Sequence, residues 1–479
     1  MLTATEPATD AARIQAVFAA QQKRSLALRQ STASERLAKL ERLRALVRTH
    51  EREFQQAIHA DFGKPAVEVT TAEVVVTLLA VNHAMKHLRG WMAPRRVGFN
   101  LFLAGTSARV VPEPKGVSLI IAPWNYPLML LLEPLVYALA AGNTAMLKPS
   151  ELTPHTSGLV ARLVPQYFAE DEVAVFEGGV ATSTALLAQP FDHIFFTGSP
   201  AVGKVVMQAA AQHLASVTLE LGGKSPVVVD QTADLRDAAQ KIAWGKGLNA
   251  GQTCVAPDYV LVKAGLETPL IDEIKKTWQK FYNADGQGIE RSPHLARIIS
   301  PRHHARLVGL LQDALDQGAH LAEGGQHDAS ERFLAPTILT GVRAGMKVMQ
   351  EEIFGPLLPV LTYEHLDEAI QQINRSEKPL ASYLFSQDQK NISKFIQQTT
   401  AGGTCINDVV IQFGHVDLPT GGVNNSGLGK SHGIYGFEAF SNLRPVVRQR
   451  VGWTAVKQLY PPYTDRVTRL AARVREFFG

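Results

Sequence analysis

Apolar positions along the chain alternate between two periods. From residue 117 onward, short apolar runs at 117–121, 144–148, 173–176, 193–196 and 216–221 read as strands. Between them, 128–141, 156–168, 184–188 and 201–213 carry helical spacing, and the first of these ends at Gly142, a favourable helix stop. Strands and helices in this order predict a parallel sheet covered on both faces. A second alternation follows, with strands at 226–229, 259–262, 357–361 and 403–407 and helices at 233–246, 269–281, 304–317 and 366–373. Upstream, 12–59 reads as helices with alternating charge, and the glycine-rich stretch 421–433 breaks the second pattern. The fold class expected is therefore α/β. The apolar stretch 117–147 holds one charge, Glu133, but Pro123, Asn125 and Pro127 interrupt it. It reads as a strand, a loop and a buried helix, not as a membrane span.

Composition narrows the function classes. The 479 residues suffice for two to three domains at ~150 residues each, and 46% hydrophobic against 19% charged residues excludes disorder. The net charge of +4 is scattered except at 447–479, where seven Lys/Arg stand against two Asp/Glu. Scattered positives argue against a nucleic-acid partner. After Pro461-Pro462, residues 463–478 place Val467, Leu470, Val474 and Phe477 on one stripe, with Arg466, Arg469, Arg473 and Arg475 elsewhere. Such a stripe is expected to dock on its own protein; an anionic membrane surface is the alternative. Cys254 and Cys405 are the two cysteines, which excludes a disulfide framework and zinc spacing, so no metal is expected. The first thirty residues mix Glu6, Asp10 and Gln21 with short apolar pieces and lack a secretory pattern. A cytoplasmic location is the expectation.

Candidate chemistry sits at strand ends. Thr197-Gly198-Ser199-Pro200-Ala201-Val202-Gly203-Lys204 joins a strand to a helix, but Val205 stands where a phosphate-binding P-loop needs Ser or Thr. Ser199 as a cap and Pro200 in the first turn still favour free N–H groups aimed at an anion, against a plain tight turn. Cys254 closes Gly251-Gln252-Thr253, a helix start or tight loop where nearby N–H groups would lower a thiol pKa; on spacing alone a small buried side chain is the plainer account. Cys405, on a strand, reads as core. Glu220-Leu221-Gly222-Gly223 ends a strand, where α/β proteins bind ligands, and Asn125 in Pro123-Trp124-Asn125-Tyr126-Pro127 could donate to an oxyanion. A solvated turn would account for either segment.

Taken together and in this order, PWNYP (123–127), KPSE (148–151), FTGSPAVGK (196–204), LELGGKSP (219–226), GQTC (251–254), EEIFGP (351–356) and PTGGVNNSGLG (419–429) resemble the aldehyde dehydrogenase superfamily. The run 254–260 and residues 433–441 are similar to its class 3 branch, which acts on fatty, aromatic or coniferyl-type aldehydes, commonly as dimers. The resemblance implies two parallel-sheet α/β domains and a small oligomerisation β-segment. Their extents would be 1–91 and 112–219 for the dinucleotide-binding domain, 220–415 for the catalytic domain, 92–111 and 416–446 for oligomerisation, and 447–479 for the basic tail.

The roles it implies are Cys254 as nucleophile, Asn125 in the oxyanion hole and Glu220 as the base that activates water. NAD, with some NADP use, would be held by Trp124, Lys148, Glu151, Gly198, Ser199, Gly203, Gly222, Glu352 and Phe354. Tyr126, Leu130 and Glu133 would border the aldehyde, Glu133 shaping substrate preference. Thr420 and Asn424 depart from the family's usual Phe and Gly, which bears on the substrate. The reaction implied is NAD(P)-dependent oxidation of a medium- or long-chain aliphatic or an aromatic aldehyde to its acid. A CoA-acylating relative or a non-catalytic structural member are the alternatives.

Overall fold

The computed structural model describes residues 10–479; Glu6 and the first nine positions of the expected nucleotide domain lie outside the described residues. Two parallel sheets organise the chain. In the first, five parallel strands lie in the order Ser216–Leu221, His193–Gly198, Val117–Ile121, Thr144–Lys148, Val173–Val175. Their interiors are mainly apolar, with Ser118 and Thr218 as buried exceptions, as strands covered on both faces require. Chain order reverses between Val117–Ile121 and His193–Gly198, and ligands of open α/β sheets settle at such a point, beyond the carboxyl ends of the strands.

The second sheet runs His320–Glu323, Thr337–Thr340, Leu357–Tyr363, Tyr259–Lys263, Pro226–Val229, Ala381–Phe385, Gly403–Ile406, parallel except for its first member. The α/β expectation holds, and the stretch 117–147 is a strand, a loop and the buried helix Met129–Ala141.

Three elements depart from the sequence pattern. Ala381–Phe385 is a strand buried at every position, too short to stand out beside a neighbouring Pro379. Thr106–Pro114 is also a strand, paired along its whole length with Ser441–Gln449. Its prolines argue against a ladder, but Pro112 and Pro114 lie beyond the reach of the short strand Arg95–Arg96, where the ribbon is paired on one side only. A long helical region, Ala66–Met92, contains a π-turn at Thr70–Val74. It is long and apolar enough to span a membrane by composition, yet Val69, Val74, Ala80, Val81, Ala84 and Leu88 belong to the protein core.

The stretch 416–446 divides between two places. Gly427–Leu428 adds antiparallel to Ser216–Leu221, and helix Gly433–Ala439 packs Gly436 onto the Tyr137 ring. Only Ser441–Gln449 joins the exposed antiparallel ribbon. The tail forms helix Asp465–Phe478 with no fully buried residue. Val467, Leu470 and Val474 are half-covered, Phe477 is exposed, and Phe478 meets the Phe102 ring edge-on at 6.0 Å. The expected docking is thus confined to partial contacts.

Candidate active site

The reversal point of the first sheet holds a cleft of about 310 Å³. Pro123, Trp124 and Asn125 line one side, Thr197, Gly198 and Ser199 the other, and Glu220, Gly222, Cys254, Glu352 and Phe354 close it. Ser199 caps helix Pro200–Ala211 by accepting from the Val202 N–H at 3.4 Å, with Pro200 in the first turn, as the sequence predicts. The helix start therefore presents free N–H groups to the cleft, a favourable seat for a pyrophosphate. A Cβ on Gly222 would sit 2.1 Å from the Glu352 carboxylate, so only glycine allows that approach. The Trp124 ring stands edge-to-face between His303 (5.2 Å) and Phe354 (5.3 Å). His303 and Arg306, which escaped sequence reading, both line the cleft. Arg306 donates to the Glu352 and Ile353 carbonyls and so holds the acidic turn in place.

Cys254 is presented by a strained loop. Asn249, Ala250 and Gly251 have φ of 53°, 52° and 73° in succession, a left-handed run that costs non-glycine residues energy and persists only when packing enforces it. Packing does so here. Gln252, fully buried, donates to the Asn249 and Arg297 carbonyls at 3.0 Å each and accepts from the Ile299 N–H at 3.0 Å. A Cβ on Gly251 would lie 2.3 Å from the Gly355 carbonyl oxygen, which ties this loop to the EEIFGP turn. Asn125 is bound to the same loop. Its Nδ2 donates to the Gln252 carbonyl at 3.1 Å, and its own carbonyl accepts from Asn249 Nδ2 at 2.9 Å.

Three titrations matter. Burial pushes the Glu220 carboxyl up to about 8, with the His432 and Lys430 charges pulling the other way; neither oxygen has a hydrogen-bond partner among the described residues. Burial, then the charges of Glu352 and Glu220, push the Cys254 thiol up to about 12. This corrects the sequence expectation of a lowered thiol pKa. Cys254 follows a tight turn and does not start a helix, so only its own N–H and that of Val255 favour the thiolate. Glu352 is likewise raised to about 8, by burial and then by Asp258.

Other expected residues fall elsewhere. Gly203 is buried against Leu221, whose methyl would lie 2.8 Å from an added Cβ; it serves close helix–sheet packing and does not face the cleft. Tyr126 is buried, with its hydroxyl 2.7 Å from Thr253 Oγ1, so it braces the cysteine loop and is not part of a cavity wall. Lys148 and Glu151 form a 2.8 Å ion pair past the end of strand Thr144–Lys148, outside the cleft itself. Leu130 lines the cleft, and Leu130 and Glu133 both line a small neighbouring cavity with Glu220 and Cys254.

Beyond that cavity lies a further one of about 250 Å³, walled by Val255, Leu380, Phe413, Leu418, Pro419 and Thr420. The sequence also gave no sign of Lys64 and Glu73, both fully buried. Lys64 Nζ donates to Glu73 at 2.7 Å and to the Asn125 carbonyl at 3.2 Å. Glu73 in turn accepts from the Leu128 N–H at 2.9 Å.

Comparison with known proteins agrees with this geometry. The model of the aldehyde dehydrogenase family matches residues 2–446. Aldehyde dehydrogenase family 3 member A2 of Mus musculus is 47% identical over 431 residues, covering 90% of this chain and 87% of that protein. The 4,4'-diaponeurosporen-aldehyde dehydrogenase of Staphylococcus aureus (strain NCTC 8325 / PS 47) is 42% identical over 437 residues, covering 91% and 94%. A solved structure described as the substrate-bound state of Staphylococcus aureus AldH superposes with a TM-score of 0.91 at 40% identity, covering 97% of this chain and 99% of that one. A thiol, an unpartnered carboxylate and an amide donor around a nucleotide cleft, on a chain matched across nine-tenths of its length, place this protein in the aldehyde dehydrogenase family.

Proposed function

We propose that the chain oxidises apolar aldehydes, medium- or long-chain aliphatic or aromatic, to carboxylic acids through a covalent intermediate on Cys254. One observation carries this reading. Cys254 and Glu220 share walls with both the polar cleft and the small cavity that leads, through Leu380, Phe413 and Thr420, toward the apolar one. The cleft suits a nicotinamide dinucleotide. The capped helix start and Ser199 would hold its pyrophosphate, Glu352 the nicotinamide-side ribose, and Phe354 and Trp124 the ring. Lys148, engaged by Glu151, would meet the adenosine ribose; a nearby carboxylate disfavours a 2'-phosphate, which supports NAD first and NADP second.

The residues divide the chemistry as follows. The Cys254 thiol gives its proton to the Glu220 carboxylate as sulfur bonds to the aldehyde carbon. The resulting oxyanion is met by Asn125 Nδ2 and the Cys254 N–H, donors each worth roughly 10²–10³ in rate. When bound, the nicotinamide supplies the hydride acceptor that turns the adduct into a thioester. Glu220, ionised again, then takes a proton from water as the water oxygen bonds to the acyl carbon; the C–S bond breaks, and the sulfur recovers that proton from Glu220. Free oxygens on Glu220 support water as the acyl acceptor over CoA, whose thiol needs no such base.

A 340 nm assay with NAD and with NADP over a panel of aliphatic and aromatic aldehydes tests this. Turnover to acid without CoA is expected; no absorbance rise with any aldehyde would favour a structural role, and turnover only with CoA the acylating reading. Homodimerisation through the Thr106–Pro114/Ser441–Gln449 ribbon, whose Val447 is exposed, and a cytoplasmic location, in keeping with two free cysteines, belong to the same proposal.

A further inference from the structure

The reaction sequence proposed above makes Glu220 take a proton twice, first from the thiol and then from water. Between the two steps that proton must leave a carboxyl group that is buried and makes no hydrogen bond. The small cavity beside it shows where. It has room for about 30 Å³, on the scale of one water molecule beside the aldehyde's path. Glu220, Thr197, Glu133, His432 and Thr420 face it, among apolar side chains and Cys254. The Thr197 hydroxyl, like the Glu220 oxygens, is buried without a partner among the described residues, so a water there would meet several polar atoms that these leave unsatisfied.

Glu133 and His432 form a buried pair across this cavity, with Glu133 Oε1 3.0 Å from His432 Nε2. Tyr137 donates to the same Glu133 oxygen at 3.4 Å. On the far side of the ring, His432 Nδ1 lies 3.0 Å from Thr420 Oγ1, and Thr420 also lines the larger apolar cavity. His432 holds φ of 68°, a conformation costly to a side-chain-bearing residue and found where function retains it.

Charged and titratable groups facing the pair come from three elements. They are Tyr137 on the Met129–Ala141 helix, Glu220 on the Ser216–Leu221 strand, and Lys430 with the more distant Asp417 on the 415–432 loop. Burial pulls the His432 pKa down, but the Glu133 and Glu220 charges more than offset it, so the imidazole is set above its ordinary value.

We propose that Glu133 and His432 are the proton exit of the active site, relaying the proton of Glu220 through one cavity water toward Thr420 and solvent. The inference rests on the aldehyde dehydrogenase reading. Glu220 O–H gives its proton to the water, which passes one of its own to Glu133 Oε2. The Glu133 proton moves to Nε2 of the neutral imidazole as His432 gives up its Nδ1 proton toward Thr420, and the ring regains its starting tautomer by exchange with solvent before the next turnover. One proton enters the pair and one leaves; no electron moves. The pair positions and relays, and does not touch the aldehyde.

The test is stopped-flow NADH formation by the full-length chain carrying Glu133→Gln or His432→Gln, with hexanal as substrate. Above pH 8, where Glu220 starts ionised, the first turnover is expected at nearly the parental rate. Later turnovers are expected to slow by about 10-fold or more, giving an NADH burst and a larger solvent deuterium isotope effect on kcat. His432→Ala is expected to regain kcat when free imidazole is added. Unchanged kcat and isotope effect in both Gln variants, or an equal loss in the first and later turnovers, would overturn the relay. Should the histidine variants fail to fold, Glu133→Gln, which exchanges one oxygen for an amide nitrogen, decides alone. A parental protein that forms no NADH would instead sink the underlying activity.

Discussion

Replacing Lys64 with Met tests whether the buried charges beneath the active site hold the oxyanion donor. The ammonium is fully buried, 2.7 Å from Glu73 and 3.2 Å from the Asn125 carbonyl, with its charge 3.7 Å from the centre of the Tyr126 ring. Removing one partner of a buried ion pair costs about 3–5 kcal/mol, because the other charge is left without compensation. Here Glu73 keeps the Leu128 and Met129 N–H donors, which places the cost near the lower figure, ~3 kcal/mol. With ~2.1 cal/mol/K of unfolding entropy per residue, a chain of 479 residues loses about 3 °C of melting temperature for that energy.

Catalysis should fall by more than this modest loss of stability explains. Asn125 loses one of the two donors that fix its carbonyl and keeps only Asn249. A fall in kcat of ~10-fold with little change in KM is expected, a fraction of what deleting an oxyanion donor costs. The assay is kcat and KM beside a melting curve, for Lys64→Met and for the Lys64→Met/Glu73→Met pair. The double variant should recover stability, since neither member of the pair is left uncompensated, but not kcat. A single variant with parental melting temperature and kcat would show that Lys64 does not hold the Asn125 carbonyl.

Three further outcomes are expected. Because Glu220 acts as a base only when ionised and its pKa is raised to about 8, kcat should climb with pH up to and beyond 8, and Glu220→Gln should abolish that limb of a pH–rate profile. Gly251→Ala places a methyl 2.3 Å from the Gly355 carbonyl at a φ of 73°; a loss of activity of about 10²-fold is expected from displacing Cys254, measured beside nucleotide binding, which should survive. Val447→Asp puts a charge on the exposed ribbon, and size-exclusion chromatography should show a shift toward monomer.

The parts of the fold legible in the sequence were those whose signal is local. Apolar runs such as 117–121 and 193–196 became central strands because strands buried on both faces need uniform apolarity. The loops after them became the site because ligands gather at strand ends. What escaped depends on partners far along the chain. The Glu133–His432 contact joins residues some three hundred positions apart, and nothing near either announces it. Lys64 and Glu73 carry charges that composition assigns to the surface, and only their mutual burial reverses that. Gly203 shows that a glycine in a ligand loop can instead serve packing, here against Leu221. The direction of the Cys254 shift needed burial and the nearby carboxylates, which chain neighbours do not reveal.

The account turns on an acyl group passing through the Cys254 sulfur and leaving with the help of Glu220. The most direct measurement is the intact mass of the parental chain, acid-quenched within its first turnover of hexanal and NAD, followed by peptide mapping. The expected result is one acyl group per chain on the peptide bearing Cys254, formed with a single equivalent of NADH. A chain that stays unmodified while NADH accumulates, or carries the acyl group on the Cys405 peptide, would contradict it.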